Sequence, residues 1–128
     1  MKWKLDDSRP IWPQLKEQLT MAIVSGQYEM GAAFPTVRDI AADAGVNRNT
    51  MQRALSELES DGLLITNRTS GRTVTNDKEL ITKMRLNAAS TYVDEFMAQM
   101  NAIGFTTEEI IQVLKDKDSS SKEETSNE

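Results

Sequence analysis

The sequence predicts a mainly α-helical fold with a small β wing and a short pair of C-terminal helices. Three observations predict it. Apolar residues recur at helical spacing between Ile11 and Leu58, and two short β-prone runs flank a turn-forming stretch after Gly62. From Asp77 to Ile103 the chain then holds neither Gly nor Pro while apolar residues keep recurring.

The first helix is expected from Ile11 to Ser25. Ile11, Leu15, Leu19, Ala22 and Ile23 form its stripe, Pro10 suits the helix start, and Gly26 suits its end. Pro35 disfavours helix at Phe34, so the chain reaches the second helix through an extended link. Thr36 is placed to cap that helix, with Asp39 three residues on and Val37, Ile40, Ala41 and Ala44 as the apolar stripe. Gly45 ends it, because glycine adopts positive φ without steric cost. Asn47 caps the third helix and Val46 can staple onto Met51. Helix, glycine turn and helix in this order outline a helix-turn-helix.

On a wheel of the third helix, Met51, Ala54, Leu55 and Leu58 fall together and predict its buried side. Asn49, Gln52, Arg53 and Ser56 fall opposite, and all four can donate hydrogen bonds. Asn and Gln pair with adenine edges, and Arg pairs with guanine or phosphate. A plain solvated face is the simpler alternative. Gly62 closes the helix, Leu63-Leu64-Ile65-Thr66 and Thr73-Val74-Thr75 are expected strands, and Asn67 to Arg72 joins them through a polar loop with two arginines. A hairpin directly after such a helix reads as a wing, with Arg68 and Arg72 able to hold phosphate or sugar. Trp12, Tyr28 and Phe34 read most simply as packing between the wing and the first helix.

The long run Asp77 to Ile103 is the expected fourth helix, ended by Gly104, and its apolar positions spread too widely for packing on one side. Thr-x-x-Glu and the pair Phe105 and Ile110 then mark a last helix from Thr107 to Lys115. Two such helices bury too little surface to stand alone, so Met84, Ala88, Tyr92, Phe96, Met100 and Ile103 are expected to meet a second copy. Packing on the chain's own winged part is the alternative. The polar residues 116–128 read as a disordered acidic tail. The expected organisation is therefore 1–76 for the winged part, 77–115 for dimerisation and 116–128 for the tail.

Composition limits the chemistry. With 128 residues and no Cys or His, a disulfide framework, a Cys or His metal cage, a thiolate nucleophile and an imidazole base are all excluded. The remaining catalytic residue types form no constellation, so no enzyme, metal or cofactor is expected. No apolar run reaches the roughly 18 residues of a membrane span, and the chain is expected to stay in the cytosol. The formal charge of −5 argues at first against a nucleic-acid partner. Division along the chain weakens that objection, because residues 1–76 balance to zero and the whole deficit lies beyond Asn76. Every basic residue from Arg38 to Arg72 is Arg, which suits bidentate contacts.

Pro10-Ile11-Trp12-Pro13-Gln14-Leu15, Gly26, Gly31, Phe34 to Ala41, Gly45 to Met51, Leu58-Glu59 and Asp61-Gly62-Leu63 together resemble the winged helix-turn-helix of GntR-family bacterial transcription regulators. The segment Asn47 to Ala54, followed by a short helical tail, looks most like the small YtrA-type subgroup. The resemblance implies a dimeric repressor of a palindromic DNA operator, and its YtrA form implies a neighbouring transporter operon. It also implies that Arg38 holds the DNA backbone, Arg48 a base or phosphate, and Thr50 a phosphate, and that Gly71 lets the wing tip approach the minor groove. Asn47 stands where Ser or Thr is usual, and Gln52 where some relatives carry a third Arg. The stretch Ser70-Gly71-Arg72-Thr73-Val74 lacks the double glycine and the Phe of the common wing.

The expected DNA-binding set is thus Arg38, Asn47, Arg48, Asn49, Thr50, Gln52, Arg53, Arg68, Ser70, Gly71 and Arg72. Nothing in the residues names a small-molecule effector. The competing function is a winged-helix protein-interaction module that leaves DNA untouched. Alanine at Asn49 and Gln52 separates the two, because only a DNA reader then loses operator binding with its dimer intact.

Overall fold

The computed structural model describes residues 1–126, with side chains to Ser121. The elements run α1 (Ile11–Val24), α2 (Val37–Ala44), α3 (Arg48–Ser60), β1 (Leu64–Asn67), β2 (Gly71–Val74), α4 (Lys78–Ala102) and α5 (Thr107–Ser126). The chain divides into two compact units, Met1–Asn87 and the part from Ala88 onward.

In the first unit the expected helical stripes become one core. Leu15, Leu19 and Ile23 of α1 meet Ile40 and Ala41 of α2, Met51, Ala54, Leu55 and Leu58 of α3, and Leu63, Leu64 and Val74 around the hairpin. The caps fix where each helix begins. Thr36 Oγ1 accepts the Asp39 N–H at 3.1 Å, and Asn47 Oδ1 accepts the Asn49 N–H at 2.7 Å, each satisfying a donor the helix start would leave unpaired. Between them Gly45 takes φ 70° and the Val46 N–H returns to the Ala41 carbonyl at 3.0 Å, which turns the chain sharply from α2 into α3.

The wing strands pair antiparallel in the register Leu64 with Val74, Ile65 with Thr73, Thr66 with Arg72 and Asn67 with Gly71. Both strands lie slightly off their expected spans. β1 begins at Leu64 because Leu63 closes the α3 turn, its N–H bonding the Leu58 carbonyl at 3.0 Å. The link before α2 does more than connect. Gly31 and Phe34 donate to the Val74 and Arg72 carbonyls at 2.9 and 2.8 Å, and Val74 donates to Ala32 at 2.9 Å, so residues 31–34 flank β2 as a short third ribbon. They cover its outer edge, which would otherwise present unpaired backbone groups.

The N-terminal stretch is held down by two side-chain amides of α1. Buried Gln14 accepts the Asp6 N–H at 2.7 Å and donates to the Asp6 carbonyl at 2.9 Å, while Gln18 makes the same reciprocal pair with Lys4 at 3.0 and 2.7 Å. Trp3 Nε1 reaches Asp43 at the end of α2 at 2.9 Å.

The unit boundary falls after Asn87 and not near Asn76. Its cause is packing: Leu80, Ile81 and Met84 in the opening turns of α4 join the first core. Met84, expected at the dimer face, is partly buried against the winged core. In the second unit, Gly104 at φ 93° breaks the path after α4. Thr106 and Glu109 form a reciprocal capping box, the Thr106 N–H to Glu109 Oε1 at 3.1 Å and the Glu109 N–H to Thr106 Oγ1 at 3.2 Å. Ile110 is buried there, whereas Tyr92, Val93, Ile103, Ile111 and Leu114 are exposed.

The helix expected to stop at Lys115 runs to Ser126, so residues 116–126 are helical where the composition reads as a disordered tail. Charge and polarity predict solvation, but they do not forbid helix. No Gly or Pro interrupts the stretch, and Gln112 donates one turn ahead to Asp116 at 2.9 Å. The last two residues of the expected tail lie outside the described ones.

Candidate nucleic-acid interface

The outward side of α3 is made by its buried side. Because Met51, Ala54, Leu55 and Leu58 are inserted in the core, the 3.6-residue period turns Arg48, Asn49, Gln52, Arg53 and Ser56 away from it. Arg48, Asn49, Arg53 and Ser56 are exposed and Gln52 is partly covered. Arg38 is exposed on α2, and Arg68, Ser70 and Gly71 are exposed at the wing. Gly71 has φ 77° with nothing near its missing Cβ, so the tip turn needs glycine for its backbone and not for space.

Five expected contact residues, Asn47, Thr50, Gln52, Arg53 and Arg72, already hold a place within the protein. Asn47 spends its side-chain oxygen on the α3 cap. Thr50 is half-buried and lines a shallow cavity of about 420 Å³ with Leu5, Ile11, Val46 and neighbouring residues. The Arg53 guanidinium lies 4.3 Å from the centre of the Trp12 ring, a cation–π stack that orients the arginine from α1. Trp12 is thus a support for the α3 face, beyond the aromatic packing its type predicts. Phe34 is buried and its ring centre lies 4.9 Å from that of Tyr28, as core packing requires.

Arg72 is the largest departure. Its Nε is ion-paired with Glu59 of α3, and its Nη2 donates to Gln52 Oε1 at 3.4 Å. Gln52 Nε2 in turn meets Ser56 Oγ at 3.1 Å. Burial opposes ionisation of Glu59, yet hydrogen bonds from Arg72 and Thr66 and the arginine's charge outweigh it and hold the carboxyl below its ordinary range. Thr66 and Arg72 face each other across the wing, so one carboxylate of α3 grips both strands. Residue types and spacing gave no sign of this pair, which joins positions 13 apart across a hairpin.

A second clamp sets α1 against the far end of α3, with Lys16 Nζ 3.3 Å from Asp61 and 3.8 Å from Glu57. A rigid three-helix platform thus presents one donor-rich helix face with a hairpin latched beside it. The family model of gntR-type bacterial regulatory proteins matches residues 13–74, the segment from α1 through the wing. Over 112 residues the chain is 30% identical to the HTH-type transcriptional regulator YhcF of Bacillus subtilis (strain 168), covering 88% of this chain and 93% of that protein. The chain belongs to the GntR family.

A solved GntR family transcriptional regulator from Listeria monocytogenes superposes with a TM-score of 0.79 at 35% identity, over 88% of this chain and 98% of that one. The HTH-type transcriptional repressor YtrA of Bacillus subtilis (strain 168) is 24% identical over 110 residues, 85% of each chain. These likenesses run past the wing into the C-terminal helices. As a GntR regulator the chain is a DNA-binding protein of transcription control, and its relatives are regulators and not enzymes.

Proposed function

We propose that this GntR protein is a dimeric repressor that reads a palindromic operator in the cytoplasm. α3 lies in the major groove, where Arg48, Asn49, Gln52 and Arg53 meet base edges and phosphates. Arg38, Thr50 and Arg68 hold the backbone, and Ser70 and Gly71 bring the wing tip to the minor groove. The observation that carries this reading is the exposed, acid-free run Arg48, Asn49 and Arg53 on the side of α3 opposite its buried leucines. Repression is what the name of the relative YtrA states of that protein. Control of a transporter operon rests on the YtrA resemblance.

The dimer rests on apolar surface in the second unit. Tyr92 of α4 and Ile103 in the turn after it are 54% and 70% exposed, and Ile111 and Leu114 of α5 are also open to water. A second copy covers such a surface by two-fold symmetry and places two α3 helices on two half-sites. Ala88, Phe96 and Met100 complete that face on the proposed reading. Arg48→Ala should weaken operator binding by about 1–3 kcal/mol if Arg48 makes a bidentate base contact. A gel shift with unchanged affinity removes Arg48 from the interface.

A further inference from the structure

The α3 face holds a side chain that can be read two ways by DNA, and the fold has chosen one of them. A glutamine amide has an acceptor and a donor end of nearly equal shape, so a solvent-facing Gln presents either order at little cost. Gln52 lies on the outward side of α3, with Ser56 one turn on and Glu59 beyond it. The Ser56 hydroxyl, 3.1 Å from Gln52 Nε2, does not settle the order by itself, because a hydroxyl donates or accepts as required. Arg72 does settle it. A guanidinium only donates, so the end of Gln52 facing Arg72 Nη2 at 3.4 Å must be the oxygen. Arg72 is itself fixed, since its Nε pairs with Glu59 and its side chain is only 17% exposed.

We propose that Glu59 and Arg72 act as positioning residues that fix the amide order of Gln52 and so set which base pair it accepts. This inference rests on the reading that α3 enters the major groove. Adenine offers N6–H as donor and N7 as acceptor in a fixed geometry, and a glutamine locked in one order matches that edge in one orientation only. An unlocked glutamine meets the reversed adenine edge as well by flipping, which exchanges its donor and acceptor ends. Two consequences follow from the same contacts. Discrimination at one base pair depends on residues that touch no base. The Arg72 charge is also already matched by Glu59, so Arg72 releases no DNA counterion while Arg68 does.

The test is binding-site selection from a randomised duplex pool by the full chain and by Gln52→Ala, Arg72→Met and Glu59→Gln variants, with thermal melting to confirm folding. Gln52→Ala identifies the base pair that Gln52 reads. A good bidentate contact discriminates about 5- to 150-fold, and Arg72→Met should lower that ratio at least about five-fold at that base pair while other positions stay within about two-fold. Glu59→Gln, which keeps the shape and weakens the anchor, should act at the same position and to a smaller extent. The slope of log affinity against log salt should stay unchanged in Arg72→Met and fall by about 1 in Arg68→Ala. An unaltered preference at the Gln52 position overturns the proposal, and so does a uniform loss across all positions or a reduced salt slope in Arg72→Met. If the unaltered chain enriches no sequence at all, the DNA reading fails first and takes this inference with it.

Discussion

The stack of Arg53 on Trp12 gives a test of how the first helix prepares the third. The ring belongs to the N-terminal turn of α1 and the guanidinium to the outward face of α3, with 4.3 Å between cation and ring centre. Arg53 is exposed and Trp12 half-buried, so the stack belongs to the weak, solvent-screened class worth about 0.5–1 kcal/mol. Its larger effect should be on binding. An arginine already held in place saves part of the roughly 0.5–1.5 kcal/mol needed to immobilise a long side chain, a difference of about two- to twelve-fold in affinity.

The perturbation is Trp12→Leu, which keeps an apolar side chain against α1 but removes the π face. It is combined with Arg53→Leu in a double-mutant cycle. Urea denaturation should give a coupling of about 0.5–1 kcal/mol, and fluorescence anisotropy with a selected operator should show Trp12→Leu weakening binding only while Arg53 is present. Additivity of the two substitutions in affinity, to within about 0.3 kcal/mol, would refute the idea that Trp12 acts through Arg53.

Other outcomes follow from single contacts. Thr36→Ala removes the acceptor for the Asp39 N–H and should cost about 1 kcal/mol of stability in urea, with Thr36→Ser restoring most of it. A charge at Ile103, as in Ile103→Asp, should shift the chain from dimer to monomer in analytical ultracentrifugation and leave the melting of the winged unit unchanged. An unaltered sedimentation mass places the interface elsewhere. The Glu59 carboxyl is held below its ordinary value of 4.5, so its contribution to stability is present above that pH and is lost as pH falls through the folded value. Glu59→Gln should accordingly flatten the acid limb of the stability profile, and an identical limb in both proteins would show that the ion pair contributes nothing.

How far these features were legible depends on how local their causes are. The caps at Thr36, Asn47 and Thr106 and the glycine turns at Gly45 and Gly104 stand within a few residues of what they stabilise, so spacing alone placed the helices. The core stripe of α3 was legible for the same reason, and with it the outward set Arg48, Asn49, Gln52 and Arg53. What escaped was set by tertiary approach. Nothing near Gly31 announces that residues 31–34 flank β2, because that pairing depends on where the hairpin folds back. Arg72 reads from the sequence as a wing contact to phosphate or sugar, and nothing near it marks Glu59 as its partner, because only the folded hairpin brings the two together. The end of α5 escaped for a different reason. Its composition argues for solvation, and a solvated helix and a solvated coil share that composition.

The net charge of −5 now has a structural resolution beyond its division along the sequence. In the winged unit several acids are tied to groups away from the outward side of α3: Asp6 to Ser8 and Arg9, Asp43 to Trp3 and the N-terminal ammonium, and Glu57 and Asp61 to Lys16. Glu59 is the one acid in these pairs that reaches the α3 face, and Arg72 neutralises it. Among the described residues no ion pair involves Arg38, Arg48, Arg53 or Arg68. A domain whose formal charges cancel can thus leave these four arginines outside its ion pairs, because the pairs that form take up other cations. Screening reinforces the separation, since at physiological salt an exposed charge is felt over only about 8 Å. DNA affinity in such a protein is governed by which cations are left unpaired and where, and total charge is a poor guide to either.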